Sequence, residues 1–248
     1  EARALCVADV VTTSLSEAVS GADTVVLCVP VGAMEGLARQ ILPHLLADAL
    51  VTDVGSVKGN VCQTLEPILR GRAHFVGSHP MAGSEKAGIC AARSDLFNGA
   101  VCIITPEIEK TSLVAIHRAT ALWERLGCRV RFLEPGVHDQ VCALISHLPH
   151  LCAAALVNTV ETALPQAFDF CGNGFRDSTR IAGGLPVMWS EILLTNGVAV
   201  AKSLRLFISI LEQTALHLEA QGTTAQSEIH RFLESAKLSR DALHGCSG

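Results

Sequence analysis

The sequence predicts a mostly parallel α/β sheet domain over residues 1–135 followed by an all-helical domain over 136–248, and three observations carry that reading. Short β-branched apolar runs alternate with helix-length segments as far as Leu133. Strand-like runs stop at Pro135. Long helical periodicities fill the rest of the chain.

The elements follow in order. Ala22 to Pro30 (ADTVVLCVP) is a β-branched run after a polar turn and ended by Pro; Leu50 to Val54 and His74 to Val76 are similar and run into Gly-containing turns. Gly32 to Leu46 and Val57 to Leu69 carry helix-spaced apolar positions between them, giving β-α-β-α-β. Ala100 to Thr105 is a further strand, Pro106 leads into a helix near Thr111 to Leu126, and Cys128 to Leu133 is the last strand. Alternation at these lengths implies helices on both faces of the sheet. Beyond Glu134 to Gly136 the helical segments are about Val137 to Ala163, Pro186 to Ala220 and Thr224 to Leu243. The segment Val198 to Leu211 is apolar over more than one face, which predicts a helical dimer interface.

Composition narrows the function classes. The 248 residues carry 19 Lys plus Arg against 24 Asp plus Glu, a net charge of −5, so no nucleic-acid or anionic-membrane partner is expected. With 49% hydrophobic and 17% charged residues the chain has the composition of a compact domain rather than a disordered one. Its apolar runs, such as Leu151 to Val157, fall short of the roughly 20 residues of a membrane helix, and no signal-type segment opens the chain, so a cytoplasmic protein is expected. The cysteines stand singly in apolar stretches (Cys28, Cys102, Cys152) and are read as buried thiols.

Ligands of open α/β sheets sit beyond the carboxyl ends of the strands. There the sequence places Cys28-Val29-Pro30-Val31, Asp53-Val54-Gly55-Ser56-Val57-Lys58, and Gly77-Ser78-His79-Pro80. Ser56 either caps the next helix or faces the cleft. His79, directly after a strand and held by Pro80, is a candidate proton acceptor at neutral pH, the competing reading being a loop hydrogen bond. In the helical domain, His147 and His150 share a helical face beside Pro149, which is expected to kink the helix. A metal pair is the competing reading, but no third ligand lies at a convincing spacing, so no metal is expected. Gly172 to Arg180 is a Gly-rich turn entering a helix; Arg180 is either a carboxylate clamp or half of an Asp177–Arg180 surface pair.

Taken together, DVGSVKG (Asp53 to Gly59), GSHPMAGSEKAG (Gly77 to Gly88), His138-Asp139, SHLPH (Ser146 to His150), GFRDSTRIA (Gly174 to Ala182) and PVMW (Pro186 to Trp189) resemble the prephenate and arogenate dehydrogenases of tyrosine biosynthesis, in order and spacing. The resemblance implies a Rossmann-type nucleotide-binding domain, a helical dimerisation domain, and substrate held between them. The implied reaction oxidises prephenate to 4-hydroxyphenylpyruvate with loss of carbon dioxide and hydride transfer to NAD or NADP. By similarity His79 is the base, and Ser56 bonds the same hydroxyl or orients the imidazole. Arg180 looks like the clamp on the ring carboxylate, His150 like a donor to the pyruvyl side chain, and Ser84 with Glu85 like pocket lining. Trp189 is either an apolar wall of that pocket or a core aromatic. Val29, Pro30, Val31 and Asp53 are the implied cofactor contacts.

The resemblance has one departure. The family opens with a strand, a G-x-G-x-x-G turn, a helix and a second strand, and no such fingerprint stands here, so an entry unit of about 30 residues is expected to precede Glu1. The alternatives are an arogenate dehydrogenase, in which Glu85 would meet the substrate amine, and a non-catalytic dimeric ligand-binding module without a phosphate loop.

Overall fold

The computed structural model describes residues 4–5, 7–83, 88–107, 110–220 and 222–245. The chain divides into two compact bodies, residues 1–200 and 201–248. In the first, α1 (Leu15–Val19) precedes five strands: β1 (Thr24–Leu27), β2 (Ala49–Asp53), β3 (Ala73–Pro80), β4 (Val101–Thr105) and β5 (Arg129–Phe132). They lie side by side in chain order. β1, β2 and β3 are parallel, β4 runs antiparallel to β3, and β5 is again parallel to β4.

Alternation along β2 divides the core. Val51 packs with α2 (Val31–Ile41) and α3 (Gly59–Leu69), among Met34, Ile41, Leu65, Leu69 and Phe75. Its neighbour Leu50 points to the other face, toward α4 (Leu113–Arg125), among Val76, Ile104, Ala119 and Trp123. A strand buried on both faces must be apolar at consecutive positions, as Ala49-Leu50-Val51 is. Leu50 and Val51 each contribute about 1.5–3 kcal/mol on full burial.

The helical stretch Pro135–Ala163 is continuous over 29 residues. It comprises α5 (Pro135–Cys142), a π-turn segment Ala143–His147, and α6 (Leu148–Ala163). The wide turn lies just before Pro149, which has no N–H for the carbonyl four residues back and whose ring crowds it; the expected kink therefore takes the form of a π-segment. By length and composition this helix could cross a membrane, which unbroken apolar runs did not reveal. It buries His138, His147 and His150, and α5 packs on α3 and β4.

α7 (Asn173–Thr179) follows, then a 3-10 turn Arg180–Gly183 and α8 (Pro186–Thr195). The predicted helix over Pro186 to Ala220 is broken at Asn196, after which α9 (Gly197–Ala220) begins. α10 (Gly222–Gly245) completes the helices. Within α9, Leu206, Ile208, Ile210 and Leu211 are exposed, in keeping with the predicted apolar face. Cys62, Cys102, Cys128 and Cys142 are buried as expected, but Cys28 and Cys90 are exposed and Cys152 only half-buried. Cys28 lies just past the end of β1, where the chain leaves the sheet.

Candidate active site

The site begins at the end of β3. The antiparallel pairing to β4 continues through Pro80, so His79 lies within the strand opposite Ile103, not after it, and is 7% exposed. Gly77 makes that approach possible: a Cβ there would stand 2.6 Å from Thr105 Oγ1 and 2.9 Å from Cys62 Sγ.

At the end of β2, Asp53 and Lys58 form a fully buried ion pair. Asp53 Oδ1 also accepts from Ser78 N at 3.1 Å and Oδ2 from Gly55 N at 2.8 Å. These bonds tie the 53–58 turn to β3. Asp53 is fully buried, and its bonds to Lys58, Ser78 and Gly55 make it the residue that holds the 53–58 turn.

The other side comes from the helical stretch. His79 Nδ1 lies 2.8 Å from His138 Nε2, and His138 Nδ1 lies 2.8 Å from Asp139 Oδ1. Asp139 in turn accepts from Lys58 N at 2.7 Å and Gly59 N at 2.9 Å, the first amides of α3. This is a helix N-terminal cap supplied from some eighty residues away. The N-cap residue Lys58 makes no side-chain cap bond, which removes capping as the occupation of Ser56. Asn196, at the break before α9, donates to the Asp139 carbonyl at 2.8 Å and lies 3.2 Å from His147 Nδ1. Cys142, one turn after His138 on α5, has its Sγ 3.3 Å from His138 Nε2 and 3.7 Å from His79 Nδ1.

His150 is buried and stacked on Trp189, with ring centroids 3.6 Å apart and planes 9° from parallel. Gly184 lies flat against the pair: a Cβ there would meet Trp189 Nε1 at 2.4 Å and His150 Cε1 at 3.2 Å. Trp189 is half-buried and stacks on His150, so it is not a core aromatic. Arg180 is exposed and opens the 3-10 turn that packs on α6, the helix bearing His150. His147 Nε2 and His150 Nδ1 are buried with no hydrogen-bond partner among the described residues.

Val29, Pro30, Val31 and Ser56 meet in one cavity of about 300 Å³, with Cys28, Val54, Gly55 and, from α8, Met188, Glu191 and Ile192. It opens at the carboxyl ends of β1 and β2, where a nucleotide is bound in this fold class. Glu191 accepts from Gly32 N in the first turn of α2. Ser84 and Glu85 lie outside the described residues.

Burial, then the nearby charges of His138, Lys58 and His147, hold His79 well below the ordinary histidine value. Burial likewise lowers His138 against the opposing pull of Asp139. His147 is lowered to about 4 and His150 is lowered, both by burial. Burial would raise the Asp139 carboxyl, but bonds from His138 and the Lys58 and Gly59 amides outweigh it and leave it low. An ionised Asp139 is acceptor only, so His138 carries its proton on Nδ1. His138 Nε2 must then accept, His79 carries its proton on Nδ1, and His79 Nε2 is left with a free lone pair. The arrangement is a neutral proton acceptor whose tautomer is fixed from behind, the logic of a Ser-His-Asp triad.

Sequence reasoning singled out His79, Ser56, His150 and Trp189 but gave no role to Lys58, His138, Asp139 or Asn196. The His138-Asp139 dipeptide was visible as a motif; its partners, 59 and 80 residues away, were not.

Comparison with known proteins gives a family match over both halves of the chain. Residues 1–132 match the family model described as prephenate dehydrogenase, nucleotide-binding domain, and residues 134–235 that described as prephenate dehydrogenase, dimerization domain. A cyclohexadienyl dehydrogenase of Zymomonas mobilis is 35% identical over 98% of this chain and 84% of its own. The crystal structure of prephenate dehydrogenase from Aquifex aeolicus with hydroxyphenyl propionate and NAD+ superposes with a TM-score of 0.89 at 36% identity, over 98% of this chain and 84% of that one. A Synechocystis arogenate dehydrogenase follows at a TM-score of 0.79 and 31% identity, over 94% and 82%.

Proposed function

The chain belongs to the prephenate dehydrogenase family, and on that premise we propose that it oxidises prephenate to 4-hydroxyphenylpyruvate and carbon dioxide, using NAD or NADP. The observation that carries this reading is the line His79–His138–Asp139, which presents a neutral imidazole with a fixed tautomer at a strand end.

Bound nicotinamide supplies the hydride acceptor. Val29, Pro30 and Val31 would hold it from the cavity beyond β1 and β2, which Ser56 also lines. His79 Nε2 takes the proton of the ring hydroxyl as hydride leaves the carbon bearing it, and Ser56 donates to or orients the same hydroxyl. Loss of the ring carboxylate follows, driven by aromatisation. Arg180 clamps that carboxylate, and His150, backed by Trp189, donates to the pyruvyl group. A buried imidazole nitrogen without a partner, as at His150 Nδ1, fits a site completed by an anionic ligand.

The likeness to an arogenate dehydrogenase favours one second reading, with arogenate as substrate and tyrosine as product. The dimerization-domain match and the exposed apolar residues of α9 support a homodimer, and a role in small-molecule biosynthesis favours a cytoplasmic location. The test is reduced-nicotinamide absorbance on the protein in its full natural length, with each pairing of NAD or NADP and prephenate or arogenate. Turnover with at least one pairing is expected; none with any pairing overturns the enzyme reading in favour of a non-catalytic ligand-binding dimer.

A further inference from the structure

We propose that His79, His138 and Cys142 form a site for a borderline-soft divalent metal ion, Zn(II) or its analogues, and that its occupation switches the base off. The switch rests on His79 being the base; the binding does not. Three ligand atoms, His79 Nδ1, His138 Nε2 and Cys142 Sγ, all lie within 4.8 Å of one another on buried residues. Their separations are 2.8, 3.3 and 3.7 Å. A tetrahedral ion with ordinary Zn–N and Zn–S bonds holds such atoms about 3.3–3.6 Å apart, so only the two imidazoles need to part, by about half an ångström.

The surroundings are those of a ligand set. His138 and Cys142 share one face of α5 at i, i+4, and the third ligand comes from β3. His138 turns its other nitrogen to Asp139, which the Lys58 and Gly59 amides brace, the carboxylate–histidine arrangement that orients metal-bound imidazoles. Two nitrogens and one sulfur select zinc-like ions over magnesium or calcium. Burial keeps both imidazoles neutral and so open to a metal, and a bound ion deprotonates the otherwise resistant thiol. The sequence hid this site because its third ligand is 59 residues from His138.

Binding changes the chemistry at the far nitrogen of His79. Before it, the Nδ1 proton is donated to His138 Nε2. The ion needs an in-plane lone pair on each of those nitrogens, so the His79 proton moves from Nδ1 to Nε2, and the Cys142 thiol proton passes to solvent. One divalent cation enters, one proton leaves, and no oxidation occurs. An Nε2–H is a donor and cannot accept the substrate proton.

The test uses metal-stripped protein as wild type, Cys142→Ser and Cys142→Ala. Co(II) should give a thiolate charge-transfer band at one equivalent in wild type and none in either variant. Zn(II) should move the His79 proton from Nδ1 to Nε2 in imidazole ¹⁵N spectra. Zn(II) should also inhibit turnover reversibly by chelation, with half-inhibition at least about tenfold higher in both variants, each against its own metal-free rate. No wild-type band, an equal band in the variants, or equal Zn(II) sensitivity would overturn the site. A band without the proton shift would overturn the switch. A wild-type band with the proton shift but no metal-free turnover would uphold both and strike the catalytic reading alone.

Discussion

Along the line from His79 to Asp139, His79 Nδ1 and both nitrogens of His138 have partners, and the line ends on two backbone amides of α3. Farther along the same helical stretch, His147 Nε2 and His150 Nδ1 are buried with none. The first region is complete in itself and fixes where a proton sits. The second carries nitrogens that each cost roughly 1–3 kcal/mol until a partner arrives, which a bound anion can supply. The contrast separates a catalytic half, whose damage should appear in kcat, from a binding half, whose damage should appear in KM.

The largest break in that comparison is His79→Asn. Turnover should fall by about 10²–10⁴-fold with little change in substrate affinity, measured by steady-state kinetics. An unchanged kcat would take His79 out of the base role. Next is Asp139→Asn, which puts an amide where only an acceptor satisfies both His138 and the α3 amides. A loss of about 10²-fold in kcat is expected, together with a lower unfolding midpoint.

The buried histidines also predict a pH dependence of stability. His147 titrates near 4 when folded and near the ordinary 6.5 when unfolded. As pH falls through that window the unfolded chain binds a proton that the folded one refuses, so stability drops, by roughly 3 kcal/mol across it. Urea unfolding between pH 7 and 4 measures the drop, and His147→Gln should make it shallower by the His147 share, leaving that of His79, His138 and His150. The smallest effect expected is that of Gly184→Ala. Its methyl must displace the Trp189–His150 stack, so KM should rise about tenfold with kcat nearly kept. A loss confined to kcat would dissolve the division between the halves.

How much of this was legible in the sequence follows the range of the interactions. β1, β2, β4 and β5 were predicted to within a few residues, because alternation, β-branching and turn residues are local signals. β3 was cut short at Val76, since its continuation through His79 depends on antiparallel pairing to a strand that β3's own residues do not announce. Pro149 was read as a kink, and the π-segment before it is the form that kink takes. His79 stood out by position. The proton line behind it did not, because Asp139 caps α3 across some eighty residues and Cys142 reaches His79 across more than sixty. Asn196 looked like part of one long helix, and only the break there sets its amide against Asp139 and His147.

The most direct test of the central claim is the imidazole ¹⁵N spectrum of the metal-free protein near neutral pH, with the His79 signals assigned by their loss in His79→Asn. A neutral ring protonated on Nδ1, with a free lone pair on Nε2, is the predicted result. A proton on Nε2, or a ring already charged at neutral pH, would contradict it.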